Sequence, residues 1–157
     1  EMAKVKTGAL IVIEKKTPLN EYERTGITLD SVITSQLLIN IFEKNTPLHD
    51  GAVIVRGDRL YAAGCVLPLT QNKELNKELG TRHRAGIGIT ENSDALVIIV
   101  SEETGVISIA QNGKLTRFLD GKKIEKMLLN LYLEEEVKVP FTERLTRLLK
   151  GGRDVKK

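Results

Sequence analysis

Cysteine is nearly absent from the 157 residues. The single Cys65 excludes an internal disulfide and any zinc site built on cysteine pairs. Two histidines, His49 and His83, are too few for a three-histidine metal centre. Tryptophan is missing. Three Tyr and three Phe do not supply the clustered aromatics that RNA binding on a sheet face needs. The longest unbroken apolar run covers 95–100, far short of the about 20 residues that cross a bilayer. The start, Glu1-Met2-Ala3-Lys4-Val5-Lys6, has no apolar stretch of signal-peptide type. Charge of one sign is scarce too. With 24 Lys and Arg against 21 Asp and Glu the net charge is +3, so any anion binding must come from local clustering.

Familiar nucleotide and hydrolase signatures are also missing. No G-x-x-x-x-G-K-[ST] loop occurs. Gly86-Ile87-Gly88 runs into Ile89-Thr90-Glu91, so the G-x-G-x-x-G pattern fails at its third glycine. Neither H-E-x-x-H nor G-x-S-x-G is found. Length, 41% apolar content and 29% charged residues describe one ordinary globular domain. Nothing marks a repeat or linker. Glu1 ahead of Met2, with a strand-like run close behind, suggests a piece cut from something longer. The default compartment for a chain with one cysteine is the cytoplasm.

The apolar pattern predicts a buried strand over Gly8–Glu14 and a turn at Thr17-Pro18-Leu19-Asn20. Asp30 is read as the N-cap of a helix over about Ser31–Lys44, stopped by Asn45-Thr46-Pro47. Ala52–Arg56 and Leu60–Leu67 around Gly57-Asp58 form a hairpin. A short helix is expected around Lys73–Leu79, and a glycine-weakened strand over Ala85–Thr90. Leu96–Ser101 is a further buried strand. Val106–Ala110 and Lys114–Phe118 flank Asn112-Gly113, the strongest hairpin dipeptide. Asp120 caps a helix reaching Leu133, and Thr142–Lys150 is a last amphipathic helix closed by Gly151. The expected architecture is one α/β domain, with a central mixed β-sheet flanked by helices.

Two segments carry chemistry. Pro47-Leu48-His49-Asp50-Gly51-Ala52 sets a carboxylate and an imidazole just before an apolar strand. It reads either as a plain Asp-Gly turn or as a metal-ligand or base position, where imidazole with carboxylate suits Mn²⁺ or Co²⁺. Gly80-Thr81-Arg82-His83-Arg84-Ala85-Gly86 sets three donors in a row between glycines. It reads either as a solvated charge run or as an anion cradle. Together they equip a phosphate-ester site with a divalent metal. The residues alone lead no further than that.

These segments resemble the D-G-A and R-H-R motifs of the diadenylate cyclase (DAC) domain family, and Ser101-Glu102-Glu103-Thr104-Gly105 is similar to its third signature. The likeness covers about 7–119 and is greatest to the membrane-anchored type of Gram-positive bacteria. It implies that 1–157 is a single catalytic domain, with C-terminal helices over about 120–150. It implies a reaction in which two ATP condense to cyclic di-AMP with loss of two pyrophosphates, at the interface of a face-to-face homodimer or higher homo-oligomer. It implies a divalent metal (Mn²⁺, Mg²⁺ or Co²⁺). Asp50 would bind the metal and help deprotonate the 3′-hydroxyl, with His49 and Glu103 as further ligands. Gly51 and Ala52 would let backbone approach the nucleotide. Gly80, Thr81, Arg82, His83 and Arg84 would hold the triphosphate, with Arg82, His83 and Arg84 steadying the leaving pyrophosphate. Leu67 would line the adenine pocket, with Ser101 and Glu102 beside it. The family likeness also implies a cytoplasmic catalytic domain whose native protein is held at the cell membrane by segments outside this chain. Regulatory protein partners are compatible with it, and nucleic acid is not expected as a partner.

Several readings compete. The same cradle could serve a non-catalytic nucleotide-sensing module, although a bare polyphosphate binder gains little from Asp50 beside the anion. Tyr61 could stack on adenine or pack on a neighbour. Cys65 reads as an inert core thiol. Glu134-Glu135-Glu136 reads as a solvated helix end. The Thr142–Lys150 helix reads as a packing or oligomer helix, or as a weakly basic membrane-surface helix.

Overall fold

The computed structural model describes residues 1–75 and 79–138, the last five by backbone alone. Contacts divide the chain into two compact units, Glu1–Leu119 and Asp120–Lys157. The first unit is built on a seven-stranded sheet. In chain order it holds β1 (Ala9–Glu14), α1 (Asn20–Glu23), β2 (Ile27–Val32), α2 (Ser35–Ile41), β3 (Ala52–Arg56), β4 (Arg59–Cys65), α3 (Thr81–Asn92), β5 (Leu96–Val100), β6 (Ile107–Gln111) and β7 (Lys114–Leu119). The strand order is β2-β4-β3-β1-β5-β6-β7. Only β1 and β3 run parallel; the other neighbours are antiparallel, so the sheet is mixed as expected.

β1 lies at the centre, and its first five residues are buried. A strand covered on both faces must be apolar at every position, which is why Ala9–Ile13 shows no alternation. The core between sheet and α3 holds Leu10 and Val12 of β1, Ile54 of β3, Val97 and Ile99 of β5, and Ala85, Ile87 and Ile89 of the helix. At the β6–β7 turn, Asn112 and Gly113 take φ of +51° and +70°, the two left-handed positions of a tight hairpin.

Three expectations are corrected. Residues 85–90 form no strand: they are the middle of α3. Glycines usually weaken a helix. Here they allow a close approach instead, because a Cβ on Gly86 would stand 2.7 Å from Ile99 Cδ1 and one on Gly88 would collide with the Pro68 carbonyl oxygen. Asp30 does not cap a helix. It sits at φ +45° beside an irregularity in β2, paired with Arg59 of β4. An Asp tolerates that backbone better than most residues. The helix that follows is shorter and is capped by Thr34, whose Oγ1 accepts from the Leu37 N–H at 3.1 Å. Finally, 73–75 form turn and bend rather than helix, and 76–78 lie outside the described residues.

Arg56 ties three further elements together. It donates to Glu14 Oε1 at 2.6 Å and to Glu23, and its guanidinium lies 4.3 Å over the Tyr61 ring. Tyr61 therefore packs on a neighbour.

The second unit contributes α4 (Gly121–Lys138). Asp120 starts it as expected, accepting from the Lys123 N–H at 2.8 Å. The side chains of 134–136 and the Thr142–Lys150 helix lie outside the described residues.

Candidate active site

Strand directions bring four chain segments to one end of the sheet. They are the 49–51 turn that enters β3, the exit of β4, the first turn of α3, and the 101–104 loop leaving β5. Between them lies a cleft of about 1150 Å³. Its wall includes His49, Asp50, Gly51, Leu67, Gly80, Thr81, Arg82, His83, Ser101, Glu102 and Glu103. Two expected residues are not on that wall. Ala52 is wholly buried in the core, because alternation along β3 turns it inward. Arg84 has turned past the first helical level; its N–H donates to Gly80 O, and its carbonyl accepts from the Thr70 N–H at 3.1 Å.

Gly51 has φ +122°, and a Cβ there would lie 2.7 Å from the carbonyl carbon of Gly64. The close approach that this glycine permits is to β4. It presses the Asp50 turn against the end of β4 at Gly64 and Cys65, two residues before Leu67.

α3 opens on Gly80, which offers no side-chain cap, and its first turn holds no acidic residue. The amides at the start of a 12-residue helix lack intrahelical acceptors and point out of its positive end. They face the cleft through Thr81, Arg82 and His83. The R-H-R segment is thus a helix start rather than a loop, which suits an anion better than free side chains alone.

Arg82 spans the site. Its Nη1 donates to Glu102 Oε2 at 2.8 Å, its Nη2 reaches the His49 carbonyl oxygen at 3.5 Å, and its Nε is buried with no partner among the described residues. His83 is buried, and its Nε2 has no partner there either. Burial lowers its pKa from the ordinary value, the Arg117 charge lowers it further, and Glu103 opposes the shift. His83 is accordingly neutral near pH 7.

Among the described residues no three His, Cys, Asp or Glu side chains are gathered closely enough to hold an ion. The donor chemistry nevertheless fits one. His49 Nδ1 lies 2.6 Å from the Thr46 carbonyl oxygen, which can only accept. In the neutral ring this contact sets the proton on Nδ1 and leaves Nε2 with the lone pair a metal requires. Asp50 and Glu103 line the same cleft. His49, Asp50 and Glu103 thus supply donor types that a divalent ion accepts from one cleft, without being gathered into a coordination shell.

Apolar residues also line the cleft: Leu10, Leu67, Leu79 and Val100 are joined by the exposed Val66 and Leu69. Cys65 lies there, its thiol pushed up to about 11 by burial. One charged wall residue, Arg117, escaped the sequence reading. The alternation Leu115–Arg117 along β7 was the available signal, since it sets Arg117 on the core-facing side of the strand.

Comparison with known proteins shows the family. Residues 1–115 match the family model described as DAC, DisA bacterial checkpoint controller nucleotide-binding. The chain is 54% identical over 127 residues to the cyclic di-AMP synthase CdaA of Bacillus subtilis, covering 81% of this chain and 46% of that protein. It is 49% identical over 139 residues to a diadenylate cyclase of Listeria monocytogenes, covering 88% and 51%. It therefore spans about half the length of these curated relatives. Among solved structures, a double mutant of DacA from Staphylococcus aureus superposes with a TM-score of 0.81 at 51% identity, covering 82% of this chain and 86% of that one. A chain from Bacillus cereus described as a hypothetical membrane spanning protein gives 0.73 at 48% identity, covering 76% and 58%.

Proposed function

The chain belongs to the DAC family, the DisA bacterial checkpoint controller nucleotide-binding proteins, and from that premise we propose that it is the catalytic part of a diadenylate cyclase. Two ATP condense to one cyclic di-AMP and two pyrophosphates. The observation that carries this reading is a single cleft holding an acidic turn, an uncapped helix start and apolar lining residues.

Each part has a task. The apolar residues around Leu67 take the adenine. The amides of Thr81, Arg82 and His83 receive phosphate oxygens at the positive end of α3. Neutral His83 donates a ring N–H to a phosphate oxygen. Arg82 holds the Asp50 turn in place through the His49 carbonyl while presenting its charge to the phosphates. His49 Nε2, Asp50 and Glu103 are the residues that would hold a divalent metal, which would neutralise phosphate charge and favour ionisation of a nearby hydroxyl. Asp50 accepts the proton of the attacking 3′-hydroxyl. The new bond joins that oxygen to the α-phosphorus of the second ATP, and the bond from the α-phosphorus to the bridging oxygen of pyrophosphate breaks. One cleft carries one ATP, so two copies must meet cleft to cleft, in an isologous dimer. The native protein is read as membrane-anchored through segments outside this chain; among the described residues no helix is long and apolar enough to cross a membrane.

The test is incubation of the purified chain with ATP and Mn²⁺ or Mg²⁺, followed by mass spectrometry. A product with the mass of cyclic di-AMP and two pyrophosphates per product is expected. ATP that stays bound and unchanged even at high protein concentration would favour a nucleotide-sensing module instead.

A further inference from the structure

Besides Arg82 Nε, three polar atoms on the α3 side of the sheet are buried without a hydrogen-bond partner among the described residues: His83 Nε2, Ser108 Oγ and Arg117 Nε. Folded proteins rarely leave such atoms unpaired, so a cluster of them calls for a cause. The register places them together. Ser108 of β6 pairs with Ile99 of β5, the residue against which Gly86 of α3 packs. Leu115 of β7 pairs with Ala110, a core residue. Arg117, two residues beyond Leu115, faces the same side. The β6–β7 register slips between Ile107 and Ile109, and Phe118 there takes φ +60°. Such a bulge re-aims the side chain next to it. The Arg117 guanidinium lies 5.0 Å from the centre of the Phe118 ring, and Arg117 lines the cleft with Thr81, His83 and Glu103.

A guanidinium carries five donors in a fixed fork. Among the described residues no carboxylate forms an ion pair with Arg117, whereas Arg82 is engaged by Glu102. Of the two arginines on the wall, Arg117 is the one whose charge is not matched by a protein carboxylate. The strand bulge, the packing on Phe118 and the position beside the α3 start supply what a bidentate phosphate contact requires.

We propose that Arg117 binds the phosphate tail of the substrate, holding oxygens beyond the α-phosphate. This inference rests on the reading of the cleft as an ATP site. It makes Arg117 a specificity residue, one that separates nucleoside triphosphate from monophosphate.

Calorimetry on the full chain at fixed ionic strength tests it, with ATP, AMP and inorganic tripolyphosphate as ligands. Arg117→Ala is expected to weaken ATP and tripolyphosphate at least about tenfold and AMP by less than about twofold. Arg117→Lys, which keeps charge but loses the fork, should recover part of the loss. Unchanged ATP affinity would overturn the proposal. So would an equal loss for ATP and AMP, which would mark Arg117 as a structural residue. A thermal melt checks that each variant folds, and Arg117→Gln takes the place of one that does not. Tripolyphosphate binding that depends on Arg117, in a chain that binds ATP no more tightly than tripolyphosphate, would sink the nucleotide reading while the assignment of Arg117 stands. A wild-type chain that binds none of the three ligands would overturn both.

Discussion

Arg82 and Glu102 are paired at 2.8 Å, and the pair joins the first turn of α3 to the loop that leaves β5. The same guanidinium reaches the His49 carbonyl, one residue before Asp50. One planar fork thus fixes three of the four segments around the cleft. Lysine has the charge but not the fork. Arg82→Lys should therefore lose at least about tenfold in turnover. Its melting temperature should fall by no more than a few degrees, since a partly exposed ion pair contributes little stability. Steady-state kinetics beside a thermal melt checks this. Full activity in Arg82→Lys would reduce Arg82 to a simple charge.

Gly88 makes a second, purely structural prediction. A methyl group there meets the backbone of 68–70, which cannot rotate away as a side chain would. Gly88→Ala should destabilise the chain by about 1–3 kcal/mol, the usual cost of overpacking. At an open helical site the same change would stabilise by up to about 1 kcal/mol. Urea unfolding separates the two signs.

That helix also shows what the sequence could and could not convey. β1, β3 and β5 were legible because strands buried on both faces leave continuous apolar runs, and the β6–β7 hairpin because Asn112-Gly113 admits few other turns. α3 was misread because Gly86 and Gly88 dilute its apolar pattern, and the reason for them lies across the sheet at Ile99 and Pro68. Asp30 looked like a cap because its bond to Arg59 is made 29 residues away. The motif residues around Asp50 and Arg82 stood out by composition. The bridge from Arg82 to Glu102 and the place of Arg117 did not, since both depend on register and on a bulge.

His83 yields a pH dependence. Burial, aided by the nearby Arg117 charge, holds its folded pKa below the ordinary 6.5. The unfolded chain therefore takes up a proton at a higher pH than the folded one. Stability is at its full value above about pH 6.5 and falls as the pH drops below it, until the folded pKa is reached. Carboxylates add their own acid sensitivity, so the quantity to measure is the difference between wild type and His83→Gln from pH 7.5 to 5. That difference should shrink toward acid. A constant difference would mean that the folded His83 titrates normally.

Cys65 should be silent toward thiol reagents in the folded protein. Its thiol is buried and pushed up to about 11, so little thiolate exists at pH 8. An aromatic disulfide reagent should label it only after denaturant is added, in a single phase that follows unfolding. Rapid labelling of the native chain would mean that the β4 side of the cleft opens.

Asp50 carries the most demanding prediction. It lies on a turn that Gly51 presses against β4, one residue from an imidazole whose Nδ1 proton is fixed by the Thr46 carbonyl. In the proposed reaction its carboxylate does two things: it shares the metal and accepts the 3′-hydroxyl proton. Asp50→Asn keeps the shape and removes both abilities, because an amide is neither an anion nor a base at neutral pH. ATP affinity should stay within a few-fold of wild type, since the proposed site seats the phosphates on α3 and the adenine on the apolar residues. Product formation should fall by at least about a hundredfold, the usual scale for loss of a general base. Calorimetry with ATP and a single-turnover assay, run on the same preparation, give the two numbers. A variant that binds and turns over like wild type would remove Asp50 from the chemistry, and one that loses both together would make the turn a binding element alone.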